Sequence, residues 1–446
     1  MIVHLVKEVA NRLKNPDLVK EFAQFRGNFL SLSYGYPGLL ILMATLDNLY
    51  PWEGWDEAAH LYVLKIKEAI EAGQTDGISL FKGLAGSCFA IEYASKKKTR
   101  YQKLTNTLRS YLFQNISPFY LTALQEKVDL SLPCFPSLYD LTSGISGIGI
   151  YLLNNLDCAS FASCLKDIVR VCVALARDIK VGSYTVPGWY MPSHYQLSEQ
   201  DQREYKKGNF NLGIAHGISG ILGFLSIAAL KGVIEEGQIE AMQKISDWLC
   251  SKKKLQNGIF VWPNRISFEE EILGRKDEIF TMNAWCYGTP GIARILYLAS
   301  RVLKNSGLEQ IACDCFLGVL NEPEIFESTI TPSFCHGFSG LLTLTHLMAR
   351  DTNLSEFWRL RGKLENKLLA SYREETVFGF KDVELNLTDT TLLNLPLNSP
   401  HSTLHLVEID RAGMLEGVSG ILLSLLTNQM ESLPWATPFL IEENFI

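Results

Sequence analysis

Gly217-Ile218-Ser219-Gly220-Ile221-Leu222-Gly223-Phe224-Leu225-Ser226-Ile227-Ala228-Ala229-Leu230 runs a Gly-x-x-Gly pair straight into an apolar, helix-forming stretch that carries no charge. A helix that is apolar on nearly every side must be buried on nearly every side, so this segment reads as an inner helix. The arrangement occurs seven times, with glycine pairs at Gly35–Gly38, Gly83–Gly86, Gly144–Gly147, Gly217–Gly220, Gly288–Gly291, Gly337–Gly340 and Gly417–Gly420. With 33 glycines in 446 residues, chance would give roughly two or three such pairs and would not set each before an apolar helix. Successive first glycines are 48, 61, 73, 71, 49 and 80 residues apart. Those spacings are too long for a short solenoid unit and leave room for two helices and a variable loop.

The segments in between are striped instead. Within 235–253, Ile239, Met242, Ile245, Trp248 and Leu249 fall on one helical face and Glu236, Gln243, Lys244 and Asp247 on another, the pattern of an outer helix. The chain is therefore expected to be all-α: an α/α toroid of seven helical hairpins, with seven inner helices inside seven outer ones. Closing the ring covers every apolar inner face without capping repeats. Length alone suggests about three domains of roughly 150 residues, but the repeat argues for a single toroid domain over 1–446. Two stretches break the helical pattern: 181–205, with Pro187-Gly188-Trp189-Tyr190, and 258–282, with Ile259-Phe260-Val261-Trp262-Pro263 and Arg265-Ile266-Ser267-Phe268. Their aromatics, prolines and β-branched residues predict irregular insertions with short strands, which either wall one rim of the ring or serve as packing alone.

Composition excludes several function classes. With 41 Lys+Arg against 48 Asp+Glu, a net charge of −7 and no basic block, the chain lacks the clustered cations that neutralise phosphates, so no nucleic-acid partner is expected. A hydrophobic fraction of 47% supports a large core. Ten cysteines are scattered, with Cys88, Cys158, Cys164, Cys172 and Cys250 in apolar helical context, as free thiols of a reducing cytosol would be. Residues 1–13 set apolar positions at helical spacing among charges, unlike a signal peptide. The longest apolar runs, 39–46 and 221–230, fall short of the roughly 18 to 20 residues of a membrane span. A cytoplasmic protein is expected, with membrane contact at most peripheral.

In a closed ring, the residues just before each glycine pair gather near the axis. They are Tyr34, Lys82, Ser143, His216, Tyr287, His336 and Glu416, and one position earlier stand Cys286 and Cys335. A lone histidine is more often a satisfied core residue than a ligand, but the repeat sets that default aside. Cys286, Cys335 and His336 come from adjacent units at matching positions, and two thiolates with one imidazole make a tetrahedral zinc site whose fourth position is open. Two anionic ligands neutralise the ion, which weakens it as a Lewis acid and leaves a bound substrate thiolate electron-rich. The chemistry indicated is alkylation or addition of a thiol. The Glu269-Glu270-Glu271 run reads as a solvated charge cluster.

Gly213-Ile214-Ala215-His216-Gly217-Ile218-Ser219-Gly220, Trp285-Cys286-Tyr287-Gly288-Thr289-Pro290-Gly291 and Cys335-His336-Gly337-Phe338-Ser339-Gly340 resemble the signatures of lanthionine synthetase cyclases, the LanC family. Tyr139-Asp140-Leu141 and Pro187-Gly188-Trp189-Tyr190 are similar to that family as well, and the resemblance spans essentially the whole chain. A single Gly-x-x-Gly would carry nothing; Trp-Cys-Tyr-Gly together with Cys-His-Gly is specific. The resemblance implies a stand-alone cyclase acting on a precursor peptide already dehydrated at Ser and Thr. Cys thiols add to dehydroalanine or dehydrobutyrine, giving the (methyl)lanthionine thioether rings of a lanthipeptide. It further implies one zinc ion on Cys286, Cys335 and His336, with His216 as acid and base, Asp140 as a supporting carboxylate and Tyr287 as another active-site residue. A dehydratase and a peptide exporter are the implied partners, and any association with the inner face of the cell membrane would be made through them.

Elementary chemistry agrees with those roles. Conjugate addition needs a thiolate, an acceptor β-carbon and a proton donor for the enolate carbon, and a histidine can both remove the thiol proton and return one. The N-terminus of the helix after His216 favours a developing oxyanion. One departure from the family stands out. An arginine commonly sits four residues before the first zinc cysteine, and this chain has Met282 there, followed by Asn283. Asn283, Lys82 or a helix N-terminus is then left to stabilise the oxyanion. Two other readings compete: a LanC-like zinc protein that binds glutathione or acts as an adaptor, and a toroidal glycosidase. The glycosidase would need paired axial carboxylates, for which Asp140 and Glu416 are the candidates.

Overall fold

The computed structural model describes residues 2–25, 27–196, 198–323, 329–385 and 406–444; Leu197, inside the insertion expected over 181–205, lies outside them. Fourteen helices of the described residues make the ring. Numbered along the chain, the outer ones are α1 (Ile2–Asn11), α3 (Trp55–Glu71), α5 (Gln102–Ile116), α7 (Ala159–Leu175), α9 (Gln238–Ser251), α11 (Ser306–Asn321) and α13 (Ser355–Ala370). The inner ones each follow a glycine pair: α2 (Tyr36–Leu49), α4 (Leu84–Tyr93), α6 (Ile145–Leu153), α8 (Ile218–Leu230), α10 (Thr289–Leu303), α12 (Phe338–Thr352) and α14 (Val418–Leu425). Each inner helix packs on the next, and α14 packs on α2, so the ring closes as an α/α toroid. The outer partner of α14 is α1, from the other end of the sequence.

Patterning explains the layers. Every residue of α8 from Ile218 to Ala228 is buried, whereas α13 buries Phe357, Leu360, Arg361, Leu364 and Leu368 along one stripe. Each inner helix starts on a glycine, with no side-chain cap and no acidic residue in its first turn. Gly288 shows why glycine is required: its φ is +81°, and a Cβ there would lie 1.7 Å from the Met282 carbonyl oxygen. The middle of the ring is filled by the segment around the 3-10 turn Pro434–Phe439. Phe439, fully buried, packs its ring 5.1 Å from Trp285 and 4.2 Å from Phe334, and its carbonyl accepts from Trp285 Nε1 at 3.0 Å.

Short strands decorate this frame. β1 (Asp178–Val181) and β2 (Tyr184–Pro187) form a hairpin, as do β5 (Lys254–Gln256) and β6 (Ile259–Val261). β3 (Tyr190–Met191), β4 (Asn209–Asn211) and β7 (Arg265–Ser267) form one antiparallel sheet that joins the two irregular stretches. A further pair, β8 (Asp382–Leu385) with β9 (Leu406–Ile409), precedes the last glycine pair and was not expected from the sequence. The cysteines are free thiols. No helix among the described residues is long and apolar enough to cross a membrane.

Candidate active site at the glycine-loop end of the ring

The loops before the inner helices are stitched head to tail around the axis by main-chain hydrogen bonds. Ser33 N–H donates to Phe81 O, Phe81 to Thr142, Ile214 to Cys286, Cys286 to Cys335, Cys335 to Leu415, and Leu415 back to Ser33, at 2.8 to 3.3 Å. At the remaining junction, between the third and fourth units, side chains make the link. His216 Nδ1 lies 2.6 Å from Asp140 Oδ2 and 3.2 Å from Thr142 Oγ1. Because a carboxylate only accepts, the imidazole donates to Asp140 through Nδ1. Asp140 Oδ1 in turn accepts from the backbone N–H groups of Ser143 at 2.6 Å and Gly144 at 2.9 Å, just ahead of α6. Asp140 is buried while the His216 side chain is 26% exposed, so the pair presents an imidazole to solvent on a buried carboxylate.

The ring brings Cys286 and Cys335 together. The Cys335 thiol is pushed well above the ordinary thiol range, first by its hydrogen bond to the Cys286 side chain, then by burial and by the negative charge of Glu416 and Asp382. His336 lies within electrostatic reach of Asp382 of β8, whose carboxyl is pushed up by burial and pulled down by Thr331, His336 and Arg411. The ligand atoms of Cys286, Cys335 and His336 are not all within 4.8 Å of one another. Among the described residues, the trio that meets this distance is Asp382, Glu384 and Glu416. Arg411 already sits in that trio, 2.8 Å from Asp382, 2.6 Å from Glu384 and hydrogen-bonded to Glu416, so a guanidinium supplies the positive charge there. Two sulfurs in mutual contact with an imidazole one residue along still make a donor set that suits zinc. Asp382 is the kind of carboxylate that orients a ligating imidazole.

Tyr287 joins the two halves of the site. Its hydroxyl accepts from Asn211 Nδ2 at 3.1 Å, and Asn211 Oδ1 accepts from Gly213 N–H at 2.9 Å, so one side chain of β4 steadies both Tyr287 and the loop leading to His216. Burial pushes the Tyr287 phenol up, against the opposing pull of Arg265 and Asn211. Arg265 of β7 lies over the Tyr287 ring, 5.5 Å from its centroid, and pairs with Asp201 at 3.0 Å. Of the alternative oxyanion donors, Lys82 is exposed and Asn283 Oδ1 is buried without a partner among the described residues. Asp140 and Glu416 are each committed to a cation or imidazole, which leaves the glycosidase reading without a free carboxylate pair. Sequence reasoning missed Asn211, Arg265, Asp382 and Arg411. All four lie on or beside short strands, whose partners sequence spacing does not reveal.

Comparison with known proteins gives the family and the fold. A family model described as lanthionine synthetase C-like protein matches residues 28–436. The nisin biosynthesis protein NisC of Lactococcus lactis subsp. lactis is 26% identical over 367 residues, 79% of this chain and 82% of that protein. A solved structure of nisin cyclase shares the fold with a TM-score of 0.74 at 22% identity, covering 100% of this chain and 98% of that one.

Proposed function

Because the chain belongs to the lanthionine synthetase C-like family, we propose that it is a lanthionine-forming cyclase, which adds Cys thiols of a dehydrated precursor peptide to dehydroalanine or dehydrobutyrine. The observation that carries this reading is the Asp140–His216 pair on a loop bonded to that of Cys286, whose thiol touches the Cys335 thiol of the next loop. With Nδ1–H donated to Asp140, Nε2 of His216 is the nitrogen that takes the thiol proton. The sulfur then bonds to the β-carbon, the C=C electrons move onto the carbonyl oxygen as an enolate, and the imidazolium returns a proton to the α-carbon. Atoms are conserved, so ring closure leaves the peptide mass unchanged. Tyr287, steadied by Asn211 and adjacent in sequence to Cys286, would face the acceptor carbonyl.

A zinc ion on Cys286, Cys335 and His336 would supply a position where a substrate thiol loses its proton near neutral pH. Holding it requires the His336 imidazole to close on the two sulfurs, with Asp382 behind it. The closed ring supports taking 1–446 as one domain with the strand-bearing stretches 181–205 and 258–282 as its rim. A dehydratase must supply the substrate and an exporter would remove the product. The free thiols fit a cytoplasmic setting.

The test incubates the zinc-loaded protein with a dehydrated, Cys-containing peptide in the presence of glutathione. Loss of free peptide thiol without a mass change supports cyclisation. Glutathione adducts, or thiols that stay free, overturn it in favour of a glutathione-binding or adaptor role.

A further inference from the structure

Cyclisation as proposed above lacks one group: a strong donor for the carbonyl oxygen that becomes an enolate while the thiol adds. Met282 is 38% exposed and cannot donate. The inserted sheet brings a guanidinium to the same site by another route. β7 pairs with β4 so that Arg265 stands opposite Asn211, and both side chains reach Tyr287, the amide by a hydrogen bond and the guanidinium over the ring face. Asp201 takes one Nη2 of Arg265. Its Nε is buried and has no partner among the described residues, while the side chain as a whole is only 15% exposed.

A guanidinium tethered at one end by Asp201 and lying over an active-site tyrosine, with 15% of its side chain still accessible, is arranged to receive an acceptor. We propose that Arg265 is a catalytic residue of this chain: it donates to the carbonyl oxygen of the dehydrated residue and stabilises the enolate, the task Met282 cannot perform. The proposal rests on the cyclase reading. It also gives the strand-bearing stretches a function, because β4 and β7 deliver Asn211 and Arg265 in one register, and the short helix Glu199–Glu204 delivers Asp201.

The experiment measures kcat and KM for ring closure on a dehydrated peptide with the wild-type chain, Arg265→Ala, Arg265→Gln, and Arg265→Ala combined with Met282→Arg, checking zinc content and thermal unfolding in each. Arg265→Ala and Arg265→Gln are expected to lower kcat by about 10²- to 10³-fold, with KM and zinc content close to wild type. Added guanidinium should restore part of the Arg265→Ala rate, and Met282→Arg, at a position whose backbone N–H is bonded to Asn264, the neighbour of Arg265, should recover part of it. Arg265→Gln keeps a polar partner for Asp201, so a wild-type kcat in that folded variant overturns the proposal. A loss that guanidinium does not relieve in a folded Arg265→Ala protein also overturns it, because a purely structural role for Arg265 would give that result. A wild-type chain that leaves peptide thiols free overturns the cyclase reading itself, and this inference with it.

Discussion

His216 owes its orientation to a carboxylate that is itself fastened at the other oxygen to Ser143 and Gly144 N–H groups. Removing the imidazole should remove proton transfer while leaving the sulfurs in place. His216→Ala is accordingly expected to retain stoichiometric zinc by elemental analysis and to lose about 10²- to 10⁴-fold in cyclisation rate. Wild-type turnover in that variant would strike out the acid and base role. Cys335→Ala is expected to lose the metal, and full zinc occupancy there would remove Cys335 from the ligand set. The repeat itself singled out His216, Cys286, Cys335 and His336, because a position fixed relative to a recurring glycine pair is fixed relative to the axis. Arg265 and Asn211 were illegible for the opposite reason. Their placement depends on pairing β4 with β7 across more than a whole hairpin of sequence, and nothing local encodes that register.

At the scale of elements, the inner helices were legible because their apolar runs have no polar face, and the outer ones because theirs have a stripe. β8 and β9 escaped notice, yet they deliver Asp382 and so bear on His336. The hairpin of α12 and α13 carries a pH-dependent contact. His346 Nδ1 accepts from Arg361 Nε at 3.3 Å, and burial, reinforced by Arg361 and Arg350, lowers the imidazole to about 4. The folded chain thus keeps His346 neutral, while an unfolded chain protonates it below about pH 6.5. Stability from this site is present above pH 6.5 and lost as the pH falls toward 4, by on the order of 3 kcal/mol. Denaturant unfolding of His346→Gln should therefore show a shallower acid dependence than wild type across that interval; an equally steep one would contradict the assignment.

The whole molecule is a ring held at three levels: helix packing, the main-chain bonds between glycine loops with the Asp140–His216 pair at the remaining junction, and the aromatic plug in the middle. The plug bears on chemistry because Trp285, bonded to Phe439 O, immediately precedes Cys286. Phe439→Ala is expected to cost about 3–5 kcal/mol in denaturant unfolding and to weaken zinc retention along with it; an unchanged midpoint would show that the plug is dispensable. The toroid was legible in the sequence, since seven buried helices demand a closed arrangement. That the outer partner of α14 would be α1 was not, because α1 carries no glycine pair to mark it.

The central claim is that one imidazole, fixed at one junction of this ring, governs both proton steps of thioether formation, and cyclisation in D₂O tests it most directly. With the wild-type chain, each ring should form with one deuteron at the new α-carbon and as a single diastereomer, because His216 delivers from one face. A diastereomer mixture matching that of the peptide left in buffer would contradict the account.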